Sequence, residues 1–347
     1  MAELRYLLQP EISPAYSLAV DAALLERCRN ADGLGPVLRI HSFSEDTISL
    51  GRYHFAPAIA AGTVSMIRRL TGGRVAAAGE GFLGVSLVLP HRSALISDDP
   101  YGLRPEQMPN RHVRGILAAL RIAGVPAPFY RGRDEIHAAG RIVGTLALEE
   151  ARNGALLFQA QLSLRRDTGL LMQWLDSADP DGAIKIDIGA AVRDASSLAE
   201  VASIAADFDS IAECLCAGYR QELGVSLRGL GASEVPPCGA SERWGEPWLR
   251  QRVVGKGCLR ALRPSQLGMM EVELRVDEGG RITRATIAGD LIANSAGVAE
   301  LEERLRGRLY RSTEQVGSVI AGVLRDPRHF FLGTTAELLV DLISSAS

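Results

Sequence analysis

The chain has 347 residues, of which 47% are hydrophobic, 5% aromatic and 23% charged. That length suits two domains, and the scarcity of aromatic side chains leaves the core to Leu, Val, Ile and Ala. With 38 basic against 41 acidic residues the formal net charge is -3. This balance predicts no nucleic-acid surface, and no segment is long and charge-free enough to span a bilayer. Residues 1–5 have no basic region feeding an apolar run, so a soluble cytoplasmic protein is expected.

Residues 17–29 carry Leu18, Ala22, Leu24, Leu25 and Cys28 between charged positions, which predicts an amphipathic helix with Pro14 at its boundary. Alternation over 37–43 and 47–53 predicts two strands, followed by a short helix over 57–61. Strands are expected over 64–70 and 85–89, with a loop over 91–110 that has room for one short turn of helix, and a helix over 111–123. Residues 133–145 read as two strands turning at Gly140. Arg152-Asn153-Gly154 marks the next hairpin. A short helix over 168–174 and a loop over 177–181 follow, then one long helix over 197–223.

Glycine and proline crowd together between Leu223 and Pro247, which marks a linker. Beyond it the spacing predicts a hairpin of strands 267–276 and 281–288 and helices over 298–309, 313–324 and 334–343. The predicted division is 1–226, a linker at 227–247, and a smaller unit at 248–347.

Candidate chemistry concentrates at Arg68-Arg69-Leu70-Thr71-Gly72-Gly73-Arg74, just before Gly79, Gly81 and Gly84. Paired glycines let a backbone turn tightly and approach a ligand, and arginines present forks of donors to carboxylate or phosphate. Adjacent arginines on a strand point to opposite faces, so Arg69 rather than Arg68 is assigned to the pocket. Asp21 is expected to anchor the turn through Arg74 or a backbone donor, and Arg39 and Arg52 are read as structural or surface charges. Glu135 and His137, two apart on a strand, share a face. The five cysteines have no disulfide-framework spacing. Cys214 and Cys216 are expected in a helix with at least one buried, and no metal ligand is named.

Four separated marks together resemble the lipoate-protein ligase, octanoyltransferase and biotin-protein ligase superfamily. They are Leu18-Ala19-Val20-Asp21 with Leu24-Leu25, Ser49-Leu50-Gly51-Arg52-Tyr53, the Arg68 to Arg74 loop, and Gly140-Arg141-Ile142-Val143-Gly144. The stretch from Gly279 to Asp290 with its helices is similar to the small accessory domain found with many lipoate ligases. The resemblance implies an α+β fold: a biotin/lipoate-ligase-like catalytic domain with mixed β-sheets and flanking helices, plus a small α+β C-terminal accessory domain. It also implies ATP-dependent activation of lipoate, octanoate or a related medium-chain acid as an acyl-adenylate, with Mg²⁺, and transfer to a lysine of a lipoyl carrier domain. On that basis Arg69, Thr71, Gly72, Gly73 and Arg74 are assigned to ligand binding, together with Gly81, Asp134, Glu135 and Gly144. Arg141 is assigned to catalysis.

The departures from the family fall on the chemistry. Arg141 stands where the family has a lysine, and Ala78 where a histidine is common. Asp134 and Glu135 replace an asparagine-aspartate pair, and Gln159-Ala160-Gln161 replaces a histidine-glycine-threonine stretch. Arginine keeps the charge but changes reach and geometry. Two other readings follow: a noncatalytic homologue that binds an acyl ligand or lipoyl carrier domain, or a ligase for another carboxylic acid, biotin included. The loops 91–110 and 177–181 are candidates to enclose a reactive intermediate.

Overall fold

The computed structural model of the protein describes residues 2–28, 34–57, 64–187, 194–231, 234–235 and 241–347. The N-terminal part is built on β1 (Glu3–Ile12), β2 (Val37–Phe43), β3 (Thr47–Leu50), β4 (Ser65–Arg68), β5 (Ala76–Ala78) and β6 (Phe82–Leu89). It continues through β7 (Phe129–Tyr130), β8 (Glu135–Ala138), β9 (Arg141–Glu150), β10 (Leu156–Ser163) and β11 (Ser226–Gly229). Its helices are α1 (Pro14–Arg27), α2 (Met108–His112), α3 (Arg114–Ile122), α4 (Leu170–Ala178), α5 (Leu198–Ala202) and α6 (Phe208–Leu223). Eight strands form one mixed sheet in the order β11-β1-β2-β6-β10-β9-β8-β7, and β4-β3-β5 form a small second sheet. The fold is a mixed α/β architecture with several sheets, as expected.

Strand alternation divides the large sheet into two faces. Leu38, Ile40, Val85, Leu87, Leu148 and Phe158 enter the core shared with α3 and α6. The opposite face carries Arg39, His41, Ser86, Gln159 and Gln161 toward α1 and the small sheet. Where α3 crosses α6, a Cβ on Gly218 would lie 2.4 Å from the Gly115 carbonyl oxygen, so the helices approach more closely than a side chain permits.

The C-terminal part adds α7 (Glu246–Leu249), β12 (Leu259–Pro264), β13 (Met269–Val276), β14 (Ile282–Gly289), β15 (Ile292–Ala293), α8 (Ser295–Arg304), α9 (Thr313–Leu324), β16 (Phe331–Leu332) and α10 (Ala336–Ser344). The strands β12-β13-β14 form an antiparallel sheet. Its core of Val272, Leu274, Ile287, Leu301, Ile320 and Leu342 also takes in Tyr53 from the N-terminal part. Ser226–Gly229 pairs with β1, so the stretch read as a linker from 227 begins inside an edge strand of the large sheet.

Several elements differ from expectation for identifiable reasons. The single helix expected over 197–223 is two, because Ser203 takes a left-handed conformation with φ of 51° and Asp207 caps a new start by accepting from the Ser210 amide. The loop expected over 91–110 holds the one short helical turn allowed for it, Pro105–Gln107, but also the start of α2, which begins at Met108 rather than at 111. The helix expected at 168–174 runs to Ala178, inside the loop expected at 177–181. The strand β1 was not anticipated. The short helix expected over 57–61 lies outside the described residues apart from Pro57.

Candidate functional site

Arg68 ends β4 and Arg69 follows it, and the two side chains diverge as neighbours in an extended chain do. Arg68 is buried, and its guanidinium donates to the carbonyls of Arg52, His54 and Leu249 at 2.8, 2.6 and 2.8 Å. Arg69 turns to the other side, lining a cavity above the large sheet. Its guanidinium donates to the carbonyls of Gly72 at 2.6 Å and Ser49 at 3.0 Å, and also to that of Arg74. Burial pulls the two pKa values down to about 9 and about 10, so both stay charged at neutral pH. Arg69 therefore holds the shape of the Gly72-Gly73 turn, where Gly73 has φ of 82°.

Arg74 reaches the other way. It pairs with Asp134 at 2.8 Å and Glu135 at 3.0 Å, and Glu135 meets His137 Nε2 at 3.0 Å. Asp134 is wholly buried, and loss of water pushes its pKa up to about 6 against the pull of Arg74. Burial acts on Glu135 in the same sense, but hydrogen bonding by His137 and the Arg74 charge outweigh it and hold Glu135 low.

The other sequence-assigned residues are more dispersed. Arg141 is exposed at the start of β9, donates to the Ala195 carbonyl at 2.7 Å, and is not part of the cavity lining. Gly144 lies between strands, where a Cβ would meet the Gln161 carbonyl oxygen at 2.6 Å. Gly81 forms the turn into β6 and lines a different cavity with Glu11, Phe43 and Phe208.

The cavity next to Arg69 has a volume of about 50 Å³. It lies between α1, the small sheet with Arg69, and the large sheet. A buried polar chain supports it. The Thr71 hydroxyl donates to Gln159 Oε1 at 2.6 Å, and Gln159 Nε2 donates to Asp21 Oδ2 at 2.7 Å. Asp21 Oδ1 pairs with Arg39 at 2.8 Å, with side-chain exposures of 1% and 0%. The anchoring expected between Asp21 and Arg74 does not form: the partner of Asp21 is Arg39, placed opposite it by the β2 register. Sequence reasoning also missed His41, which lines the cavity two residues beyond Arg39 on the same strand face. The alternation of Arg39, His41 and Phe43 was the available signal.

The C-terminal part is seated directly on the loop. The Gly73 amide donates to the Leu291 carbonyl at 2.8 Å, the Tyr53 hydroxyl to the Ala293 carbonyl at 3.0 Å, and His54 Nε2 meets Asp290 Oδ1 at 3.1 Å. Farther along β9, Glu149 Oε1 accepts from the Ser295 amide at 3.1 Å and its hydroxyl at 2.6 Å, capping α8 across the interface.

Burial pushes the Glu149 pKa up from 4.5 to about 7. The folded state then keeps a proton that the unfolded chain has released, so this group's contribution is fullest below its unfolded pKa and is lost as pH rises through about 7. Glu149→Gln keeps the acceptor without the charge. We expect it to raise stability by about 2 kcal/mol at pH 8 and to change little at pH 4.5. Urea unfolding at both pH values measures this, and parallel pH profiles for variant and wild type would refute it.

With the residues placed as they are, several of the groups assigned to ligand binding and catalysis have partners within the chain. Arg69 is bound to loop carbonyls, Arg74 to two carboxylates, Gly73 to Leu291 and Arg141 to Ala195. An anionic ligand drawing on these groups competes with those partners. Among the described residues, no group of three or more His, Cys, Asp or Glu side chains is placed to hold a metal ion. Cys214 and Cys216 are both half-buried on α6, where one was expected buried. Burial pushes the Cys216 thiol up to about 11, the reverse of an activated nucleophile. No helix among the described residues is long and apolar enough to cross a membrane.

No family model and no curated protein matches the sequence. Solved structures do match the fold. LipL1 of P. falciparum in complex with lipoate aligns with a TM-score of 0.69 at 13% identity, covering 92% of this chain and 94% of its own. A bi-partite lipoate protein ligase from Thermoplasma acidophilum, studied with its E2 lipoyl domain, aligns at 0.55 and 19% identity over 74% of this chain and 98% of its own. Lipoate-protein ligase A bound with ATP aligns at 0.53 and 19% identity over 72% and 98%. The chain has the fold of the lipoate-protein ligases.

Proposed function

We propose that this protein activates lipoate, octanoate or a related medium-chain acid with ATP and Mg²⁺ and transfers the acyl group to a lysine of a lipoyl carrier domain. The observation that carries this reading is the cavity lined by Arg69, the residue that holds the Gly72-Gly73 turn, on a fold shared with proteins solved with lipoate and with ATP. The Thr71-Gln159-Asp21-Arg39 chain orients the turn. Arg74 lies outside this cavity and lines a second, smaller one with Leu171, Ile186 and Asp290, where its largely buried positive charge acts strongly on developing negative charge. Its carboxylate partners keep that charge balanced until an anionic ligand competes for it. Supplying the acyl-activating chemistry would be the part of ATP.

The reading is tested by pyrophosphate release with ATP and Mg²⁺ against lipoate, octanoate and biotin, with and without a lipoyl carrier domain. Release with an acid supports it and names the acid. A noncatalytic binding homologue is the second reading, favoured by the exposed position of Arg141 outside the cavity lining. Carrier or acid binding with no release from folded protein would establish it.

In the enzymatic reading we expect Arg141→Ala to lower the rate of pyrophosphate release about tenfold. That is less than the loss of a buried electrostatic donor, because the side chain is solvated. An unchanged rate would remove Arg141 from the chemistry.

A further inference from the structure

The floor of the cavity is a row of opposed residues across the large sheet. His41 lies opposite Gly84, Gly84 opposite Gln161, Gln161 opposite Thr145, and Thr145 opposite Glu135. His41, Gln161 and Thr145 line the cavity, while Leu18, Phe43 and Ile67 supply apolar wall. A cavity for a plain hydrocarbon chain calls for no such polar strip, since polar groups covered by methylenes lose their water without replacement.

Most polar groups around the cavity have internal partners. Arg69, Asp21 and Gln159 are engaged in the contacts described above. His41 is different: it is 5% exposed, and its Nδ1 is buried with no hydrogen-bond partner. The ring lies against β6 where residue 84 has no side chain. A Cβ there would fall 2.4 Å from His41 Nε2. Burial, helped by the Arg39 charge, pushes the His41 pKa well below its ordinary value, so the ring is neutral at physiological pH. A neutral imidazole has one donor and one acceptor nitrogen and suits an uncharged polar partner. The cavity's volume of about 50 Å³ corresponds to roughly three to five water molecules.

We propose that His41, with Gln161 and Thr145 beside it, makes this cavity select a carboxylic acid whose chain carries an uncharged hydrogen-bonding group, a hydroxyl or an amide, over a plain saturated chain. The proposal rests on the reading that the cavity holds the acid, and it names the class of acid. A saturated chain laid against the His41 ring offers it no hydrogen-bond partner, whereas a hydroxyl or amide does. Sites built to hydrogen-bond a ligand group discriminate strongly against the analogue that lacks it.

The test is calorimetric binding of octanoate, the 3-hydroxy and 8-hydroxy octanoates, lipoate and biotin to the full chain. The expected result is that at least one polar-chain acid binds about tenfold or more tightly than octanoate. His41→Phe and, separately, Gln161→Leu should each bring that ratio to within about twofold of unity while octanoate binding is kept or improved. Octanoate binding as tightly as every polar-chain acid would overturn the proposal and leave the parent reading standing. An unaltered ratio in both variants would also overturn it. Binding of none of the acids would overturn both.

Discussion

Asp21→Ala should lower the unfolding free energy by about 3–5 kcal/mol, the usual cost of stranding one member of a buried ion pair. Arg39 is fully buried, and Asp21 is its carboxylate partner at 2.8 Å. Asp21 also accepts from the Ser86 hydroxyl at 3.1 Å and from Gln159 at 2.7 Å. Alanine removes all three acceptor contacts and leaves a guanidinium beneath α1 with the Gln9 carboxamide and the Ser17 hydroxyl and carbonyl as partners. The double variant Asp21→Ala/Arg39→Met should recover more than half of the loss, because the stranded charge is then gone. Denaturant midpoints at constant slope measure both. A loss under about 1 kcal/mol for Asp21→Ala would mean that water reaches Arg39 and that the network does not support the loop.

That network marks the limit of what periodicity reveals. Alternation along the strand expected over 64–70 was enough to assign Arg69 to one face and Arg68 to the other, because side-chain direction in an extended chain is local. The pair Asp21 and Arg39 is separated by 18 positions and joined only once α1 lies across β2. Read alone, Asp21 suggests an anchor for the loop and Arg39 a structural or surface charge, and neither points to the other. Glu135 and His137 were placed on one face for the same local reason that served Arg69, and they meet at 3.0 Å. β1 was not anticipated because its buried positions, Leu4 and Leu7, are three apart rather than two, and Pro10 interrupts the end of the strand. The break at Ser203 was equally opaque, since serine does not announce a left-handed conformation as glycine does.

Nothing local points to Leu291 as the lid over Gly72 either. The two residues are brought together by the docking of separate sheets, and a glycine pair has many reasons to exist. The observed reason is contact: glycine at 72 is required by the approach of another backbone, whereas at 73 it is required by a positive φ. The candidate site is therefore assembled from a loop whose shape was legible and a cover whose position was not.

The role of that cover makes Gly72→Ala the second large effect. A Cβ at 72 would lie 2.0 Å from the Leu291 carbonyl oxygen and 3.1 Å from Tyr53 Cε2. The near atom is backbone, so no rotamer change relieves the clash, and either the loop or residues 290–293 must withdraw. Withdrawal breaks the Gly73 to Leu291, Tyr53 to Ala293 and His54 to Asp290 contacts together. We expect a loss of about 3 kcal/mol, at the upper end for overpacking. Faster hydrogen exchange should be confined to the Gly73 and Met269 amides and their neighbours, Met269 being bound to Asp290 at 2.8 Å. Gly317→Ala provides the contrast: it lies within α9, its nearest foreign atom would be 3.7 Å from the new Cβ, and alanine is the better helix former. Unchanged exchange at Gly73 in Gly72→Ala would show that the loop yields without disturbing the cover. Selective loss of protection there would instead tie the shape of the Gly-Gly turn to the seating of the C-terminal sheet, since in the folded chain the two backbones occupy one contact.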